Sequence, residues 1–471
     1  MTTYADRLVD ITFRLPGWAI AVGCSVLAAM LGWAFVNRPL LALLPALLVL
    51  ALPLVLSARA RFIVVVFGAL TVFQSSDQLT APKLLYLFAL ATSFGAALVR
   101  LPQLARSPAY HDLRPMLRAA VVLFGLILAS LPVSVLYDVP QKMWLRDVAP
   151  YIMVACAPVF ALDAQASWSA RALRRLLVAG GVLGALGFMI RWLTSRQIAD
   201  LSFVPVGLPT MLLASTVFAY GVAAILHGDR RRLAWAVLTS LVLAMLLSTG
   251  TRSVLILLTV PLVIALGSHH RLTQRSARLV VATPCVVLLV LLGAQAVVRV
   301  TNADRDILAA RTSLLFASGD RSSDQSYIER LAQTSASWEA FRSHPFLGTG
   351  PGQPIVWTNF ANEVQLSTVV DTPVSFLTKF GLIGLIAVAF MALGYVSTLR
   401  AFRARTGTPT IVQLTLIGFG AVVLGSALFQ NPYEDKGLAI GLMLLLAVAA
   451  REASDAARGT QSDSMSPDAR A

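Results

Sequence analysis

Charge is scarce in this chain. Asp, Glu, Lys and Arg make up only 13% of its 471 residues, against roughly 25% in soluble domains. That scarcity excludes a soluble enzyme, a disordered scaffold and a nucleic-acid-binding module. Cysteine is nearly absent. Cys24, Cys156 and Cys285 each sit in an apolar run and are not paired by spacing, so neither a disulfide framework nor a Cys-based metal centre follows. Histidine is also rare. His111, His227, His269 and His270 fall in loops expected on the cytoplasmic side, and His344 alone is expected to face outward. A His-rich metal site is therefore not expected on either face. The N-terminal segment has no short apolar core followed by a small-residue cleavage site, so the first span is expected to be retained.

What the chain has instead is apolar length. Hydrophobic residues make up 57% of it, and a membrane helix needs about 20 in succession. Apolar runs lie near 17–36, 39–57, 61–75, 83–100, 117–137, 147–163, 175–195, 209–226, 233–249, 252–268, 279–300, 372–397, 410–430 and 437–450. Those at 61–75 and 437–450 are short. The runs predict an all-α polytopic membrane protein of about 12–14 transmembrane helices, with both termini on one side. The net charge of +15 then reads as topology. Segments on the side of the N-terminus hold 23 of the 38 Lys and Arg, among them Arg59, Arg61, Arg100, Arg174, Arg405 and Arg451, which places that side in the cytoplasm.

This reading divides the chain into an N-terminal bundle over 1–300, an outer loop over 301–371, C-terminal spans over 372–450 and a disordered tail over 451–471. The outer loop carries eight acidic residues against five arginines. Tyr327, Leu331, Thr334, Trp338 and Phe341 recur at helical spacing and predict a helix over 323–344 with one apolar face. Pro345 stops it, and a turn rich in glycine follows at Gly348, Gly350 and Gly352.

Several cations fall where positive charge is disfavoured. Arg252 follows Ser248-Thr249-Gly250-Thr251 at the start of a span. There a guanidinium and free backbone N–H groups would form an anion site. The other reading is an interfacial arginine that reaches lipid phosphates. Lys142, Arg146, Arg191, Arg196 and Arg330 are further outer cations, Arg191 inside an apolar run. Lys379, two turns into a span, would reach upward or pair with a carboxylate on its own helix face.

The motifs form an ordered set. Thr249-Gly250-Thr251-Arg252-Ser253 is followed by Arg330-Leu331, Trp338-Glu339-Ala340-Phe341 and His344-Pro345-Phe346-Leu347-Gly348-Thr349-Gly350-Pro351-Gly352. Then come Val370-Asp371-Thr372-Pro373 and Phe380-Gly381-Leu382-Ile383-Gly384-Leu385. This order, over about 240–390, resembles the bacterial O-antigen ligase and Wzy-type polysaccharide polymerase superfamily. The resemblance implies a GT-C-like fold in the bacterial cytoplasmic membrane, with the 301–371 loop in the periplasm. It implies transfer of a glycan from an undecaprenyl diphosphate carrier to an acceptor hydroxyl, with no nucleotide sugar, cofactor or metal.

Residue by residue, the resemblance gives Arg252 and Arg330 the donor diphosphate, with help from Arg191 and Arg146. Gly348, Gly350 and Gly352 match the glycine-rich turn, and Gly348 and Gly350 are counted among the diphosphate- or substrate-binding residues. Ligases of the family commonly carry a His-Asn pair where this chain has Val370 and Asp371. Asp371 is then the base or the acceptor-orienting group, or else an N-cap of the following helix; His344 and Glu339 are reserve candidates. The missing His favours an exopolysaccharide or O-antigen polymerase, with a chain-length regulator as partner. The alternative is a ligase in lipopolysaccharide biosynthesis that takes lipid A–core as acceptor. A rival of another class is a transporter of polysaccharide or lipid-linked oligosaccharide, although no internal repeat or broken helix is visible in the sequence.

Overall fold

The structure, a computed structural model, describes residues 51–72, 80–194, 208–226, 231–248, 325–359, 363–368, 370, 372–407, 410–427, 431–434 and 436–464. It is mostly helical. In chain order the helices are α1 (Ala58–Val72), α2 (Ala81–Leu104), α3 (Pro108–Leu136), α4 (Gln141–Ser167), α5 (Ala170–Thr194), α6 (Leu208–Leu226), α7 (Arg232–Ser248), α8 (Gln325–Ser343), α9 (Ser375–Thr406), α10 (Ile411–Ser426) and α11 (Lys436–Ser464). Among the described residues, five stretches are long and apolar enough to cross a membrane: Pro82–Leu104, Pro108–Leu136, Gln141–Ser167, Ser375–Thr406 and Gly437–Arg458. The chain is an all-α polytopic membrane protein. The runs at 17–36, 252–268 and 279–300, and most of 39–57, lie outside the described residues.

Local sequence sets the helix ends. Ser107 caps α3 by accepting from the Tyr110 N–H, with Pro108 in the first turn. Thr410 and Gln413 form a capping box on α10. The centre of the bundle is α11 packed along α4. Leu438 and every residue from Met443 to Ala450 are buried on α11, as are Val148 to Gln165 on α4 apart from the half-buried Ile152. By contrast α9 leaves Leu382, Ile386, Phe390 and Leu393 exposed, the pattern of a helix facing lipid.

Four expectations change. The short run at 437–450 is the middle of the 29-residue α11. That helix passes Ala450 and reaches Ser464, through a stretch expected to be disordered, because Arg451 and Glu452 find partners at Gln165 and Arg174. The outer loop also contains a hairpin, β1 (Ile355–Thr358) paired antiparallel with β2 (Val364–Ser367), Val356 opposite Leu366. On α8, the buried side is Gln333, Ser337 and Phe341, while Leu331 and Trp338 are exposed. That side docks on α9, where Thr378 Oγ1 donates to the Ser337 carbonyl at 2.9 Å.

The molecule has two polar ends. At one, Arg61 and Arg100 meet Asp163, Arg405 meets Asp112 and Arg174 meets Glu452. Arg61, 1% exposed, donates to Asp163 Oδ2 and also to the Leu54 and Val55 carbonyls. These are arginines that the charge pattern assigns to one side. The turn 137–140, α8, the hairpin and the start of α9 gather at the opposite end.

Candidate functional site

Helix α9 is broken near that opposite end, which corrects the expectation that no helix is broken. Gly381 has φ 60° and ψ −160°, a conformation reserved for glycine. A break frees backbone groups that must find partners, and the glycine-rich turn supplies them. The Leu382 N–H donates to the Pro345 carbonyl at 2.9 Å, and the Thr349 N–H donates to the Thr378 carbonyl at 2.7 Å. The turn fits because Gly348, Gly350 and Gly352 have φ 71°, 85° and 86°. A Cβ on Gly350 would lie 2.7 Å from Ser134 Oγ, and one on Gly352 would lie 2.7 Å from the Trp144 nitrogen. Their missing side chains are therefore used to pack against α3 and α4. Gly348 and Gly350, expected among the diphosphate- or substrate-binding residues, turn their Cα faces to α9 and α3.

Beneath this turn lies a buried ionic cluster. Lys379 Nζ is 2.9 Å from Asp147 Oδ2 and 2.7 Å from Glu434 Oε1. Side-chain exposure is 2% for Lys379, 2% for Asp147 and 15% for Glu434. Asp147 Oδ2 also accepts the Gly352 N–H at 2.9 Å. Glu434 Oε1 is also approached by Asn431 Nδ2 at 3.1 Å, Ser375 Oγ at 3.2 Å and Tyr151 OH at 3.3 Å. Asn431 Nδ2 in turn reaches Tyr151 OH at 2.8 Å. Three segments thus meet: α4, the start of α9 and the 3₁₀ turn Pro432–Glu434. Burial pushes the Glu434 carboxyl above the usual carboxylate range, while Lys379 pulls against that rise. Lys379 therefore pairs across the bundle, correcting the expectation of a snorkel or a partner on its own helix. A lysine reaching water would leave two carboxylates buried without a counter-charge.

The sequence-derived residues distribute unevenly. Arg252 and Asp371 lie outside the described residues, although Val370 and Thr372 are buried on either side of Asp371. Arg191 belongs to α5, with its side chain outside the description. Arg330 and Glu339 stand exposed on α8. Arg146 is half-buried directly before Asp147. His344 shares a 2.8 Å hydrogen bond from its Nδ1 to Tyr137 OH, with the rings 4.9 Å apart. Among the described residues, no group of His, Cys, Asp and Glu is arranged to hold a metal ion.

Asp147, Tyr151, Asn431 and Glu434 were not among the sequence candidates. A signal existed for two of them. Asp147 opens an apolar run, and Glu434 lies in the short link between two others. Ionisable groups so placed mark sites by default.

Chemically, the arrangement offers a carboxylate fixed on one oxygen, at the end of the bundle where the loop docks. No curated protein matches the chain. Residues 235–389, from α7 through the outer loop into α9, match the O-antigen ligase family model, so over that segment the chain is O-antigen ligase-like.

Proposed function

We propose that this multi-pass membrane protein is a glycan polymerase of the bacterial cytoplasmic membrane, building an exopolysaccharide or an O-antigen. The family supports a glycosyltransferase-like role in polysaccharide or lipopolysaccharide assembly. The donor is an oligosaccharide on undecaprenyl diphosphate, entering sideways from the bilayer at the loop end. The arginine-rich end faces the cytoplasm, as do both termini.

Arg252 and Arg330 hold the diphosphate and stabilise the charge that grows as it leaves. Arg146 and Arg191 assist. The acceptor hydroxyl attacks the anomeric carbon, with Asp371 as base or orienting group. The observation that supports this reading is the family match over 235–389, because that segment includes both arginines and the loop seated on α3, α4 and α9. No metal is required, because two guanidinium groups take its place at the diphosphate.

The second reading is a ligase that transfers the glycan to lipid A–core, favoured by the family's own description as O-antigen ligase. Deleting the protein and running the surface glycans on a gel separates the two. Loss of long chains with one repeat retained identifies a polymerase, whereas loss of all capped lipid A–core identifies a ligase. An unchanged ladder contradicts both. In the polymerase case a chain-length regulator is the expected partner.

A further inference from the structure

Within the cluster beneath the glycine-rich turn, four side chains converge on one of the two carboxylate oxygens of Glu434. Lys379 Nζ, Asn431 Nδ2, Ser375 Oγ and Tyr151 OH all approach Glu434 Oε1. Among the described residues, Oε2 receives no hydrogen bond. Glu434 is also the most exposed of the three ionic side chains, at 15% against 2% and 2%. One oxygen is anchored from three segments, so the carboxylate cannot rotate away from the direction in which Oε2 points.

We propose that Glu434 is the proton acceptor of the transfer reaction, through Oε2, and that Lys379, Ser375, Asn431 and Tyr151 are positioning residues that aim it. This rests on the transferase reading above and leaves Asp371 the orienting role. In the step, the acceptor hydroxyl gives its proton to Oε2. Its oxygen forms the new bond to the anomeric carbon. The bond from that carbon to the carrier phosphate breaks, and its electron pair leaves with the carrier diphosphate.

The electrostatics suit the task. Lys379 is shared between Glu434 and Asp147, so it does not neutralise Glu434 alone. The titratable groups facing Glu434 are Lys379 from α9 and Asp147 and Tyr151 from α4, with Tyr433 beside it in the chain. Burial adds to the proton affinity, and a base whose pKa lies closer to the working pH transfers protons more effectively. Ser375 follows Asp371 by four residues, which brings Glu434 to the same helix entry as the family's acceptor motif.

The test uses the purified full-length chain in nanodiscs. The probe is a synthetic undecaprenyl diphosphate-linked oligosaccharide, alone and with lipid A–core added, and released carrier diphosphate is followed against pH. Glu434→Gln keeps the shape and the Oε1 contacts. It is expected to lose about 10²–10⁴-fold in kcat with donor KM unchanged. The acid limb of the kcat profile disappears, while Glu434→Asp keeps a displaced limb and an intermediate rate. The proposal is overturned if Glu434→Gln stays within about threefold of the parent, or keeps the limb while Asp371→Asn loses it. Loss of activity in Arg252→Ala beside an active Glu434→Gln overturns the base and spares the transferase reading. No release by the parent with either acceptor overturns both. If Glu434→Gln fails to fold, Glu434→Asp decides: a displaced limb supports the proposal and an unmoved one overturns it.

Discussion

Gly348 and Gly381 stand back to back. A Cβ on Gly348 would lie 2.8 Å from the Gly381 nitrogen, and a Cβ on Gly381 would lie 2.7 Å from the Gly348 nitrogen. Both have positive φ, 71° and 60°. Neither can take a side chain without moving the other, so the turn and the helix break are one unit. Gly381→Ala or Gly348→Ala should therefore cost more than the usual glycine-to-alanine change. About 1–3 kcal/mol comes from the backbone conformation alone, with the clash added. A thermal unfolding scan in detergent checks this. A midpoint equal to the parent's would show that the close approach is not a constraint.

Lys379 holds two carboxylates together, and its removal leaves both buried without a counter-charge. Lys379→Met should destabilise the protein by about 3–5 kcal/mol, the range for breaking a buried ion pair on one side. Adding Asp147→Asn should recover part of that loss. Chemical denaturation of the purified variants measures it. A double variant no more stable than Lys379→Met would contradict the pairing of Lys379 with Asp147.

The legibility of this chain divides along physical lines. The membrane class and nearly every described helix follow from apolar length alone, since a lipid-spanning segment must be long and apolar. The helix at Gln325–Ser343 was visible in its periodicity, with its N-terminus and its stop before Pro345 close to expectation. Its buried face was not, because Gln333 and Ser337 are polar, and a hydrophobic pattern does not register a polar residue that packs inward. The hairpin was missed because its four-residue strands are too short to establish alternation. The cluster was missed because Asp147, Lys379 and Glu434 are far apart in sequence, and only folding joins them. The glycine-rich turn was visible as a motif, but its role in completing the broken α9 needed coordinates.

The arginine-rich end carries its own test. Asp163 accepts from Arg61 and Arg100 at once, and Arg61 is 1% exposed. Asp163→Ala leaves the Arg61 guanidinium buried without its carboxylate. A loss of about 3–5 kcal/mol is expected, read as a lower thermal midpoint. The pH dependence of any transfer activity should stay as in the parent, because this cluster lies at the opposite end from the loop. A shifted activity profile in Asp163→Ala would contradict that separation.

Glu434 should also appear in stability against pH. Its carboxyl is raised above the ordinary 4.5 by burial, so the folded protein holds this proton more tightly than the unfolded chain. That contribution to stability is complete below about 4.5 and is lost as pH rises through the native value. Thermal scans of the parent and of Glu434→Gln, from about pH 4 to 8, should diverge in this sense. The parent loses stability relative to the variant as pH rises. Parallel curves would contradict the raised value.

The most direct measurement is made in vesicles that contain only this protein and a carrier-linked oligosaccharide. Chromatography of the products would show free undecaprenyl diphosphate together with a longer glycan, and Arg252→Ala at equal protein level would produce neither. Oligosaccharide crossing the bilayer with its carrier bond intact would contradict the account and identify a transporter instead.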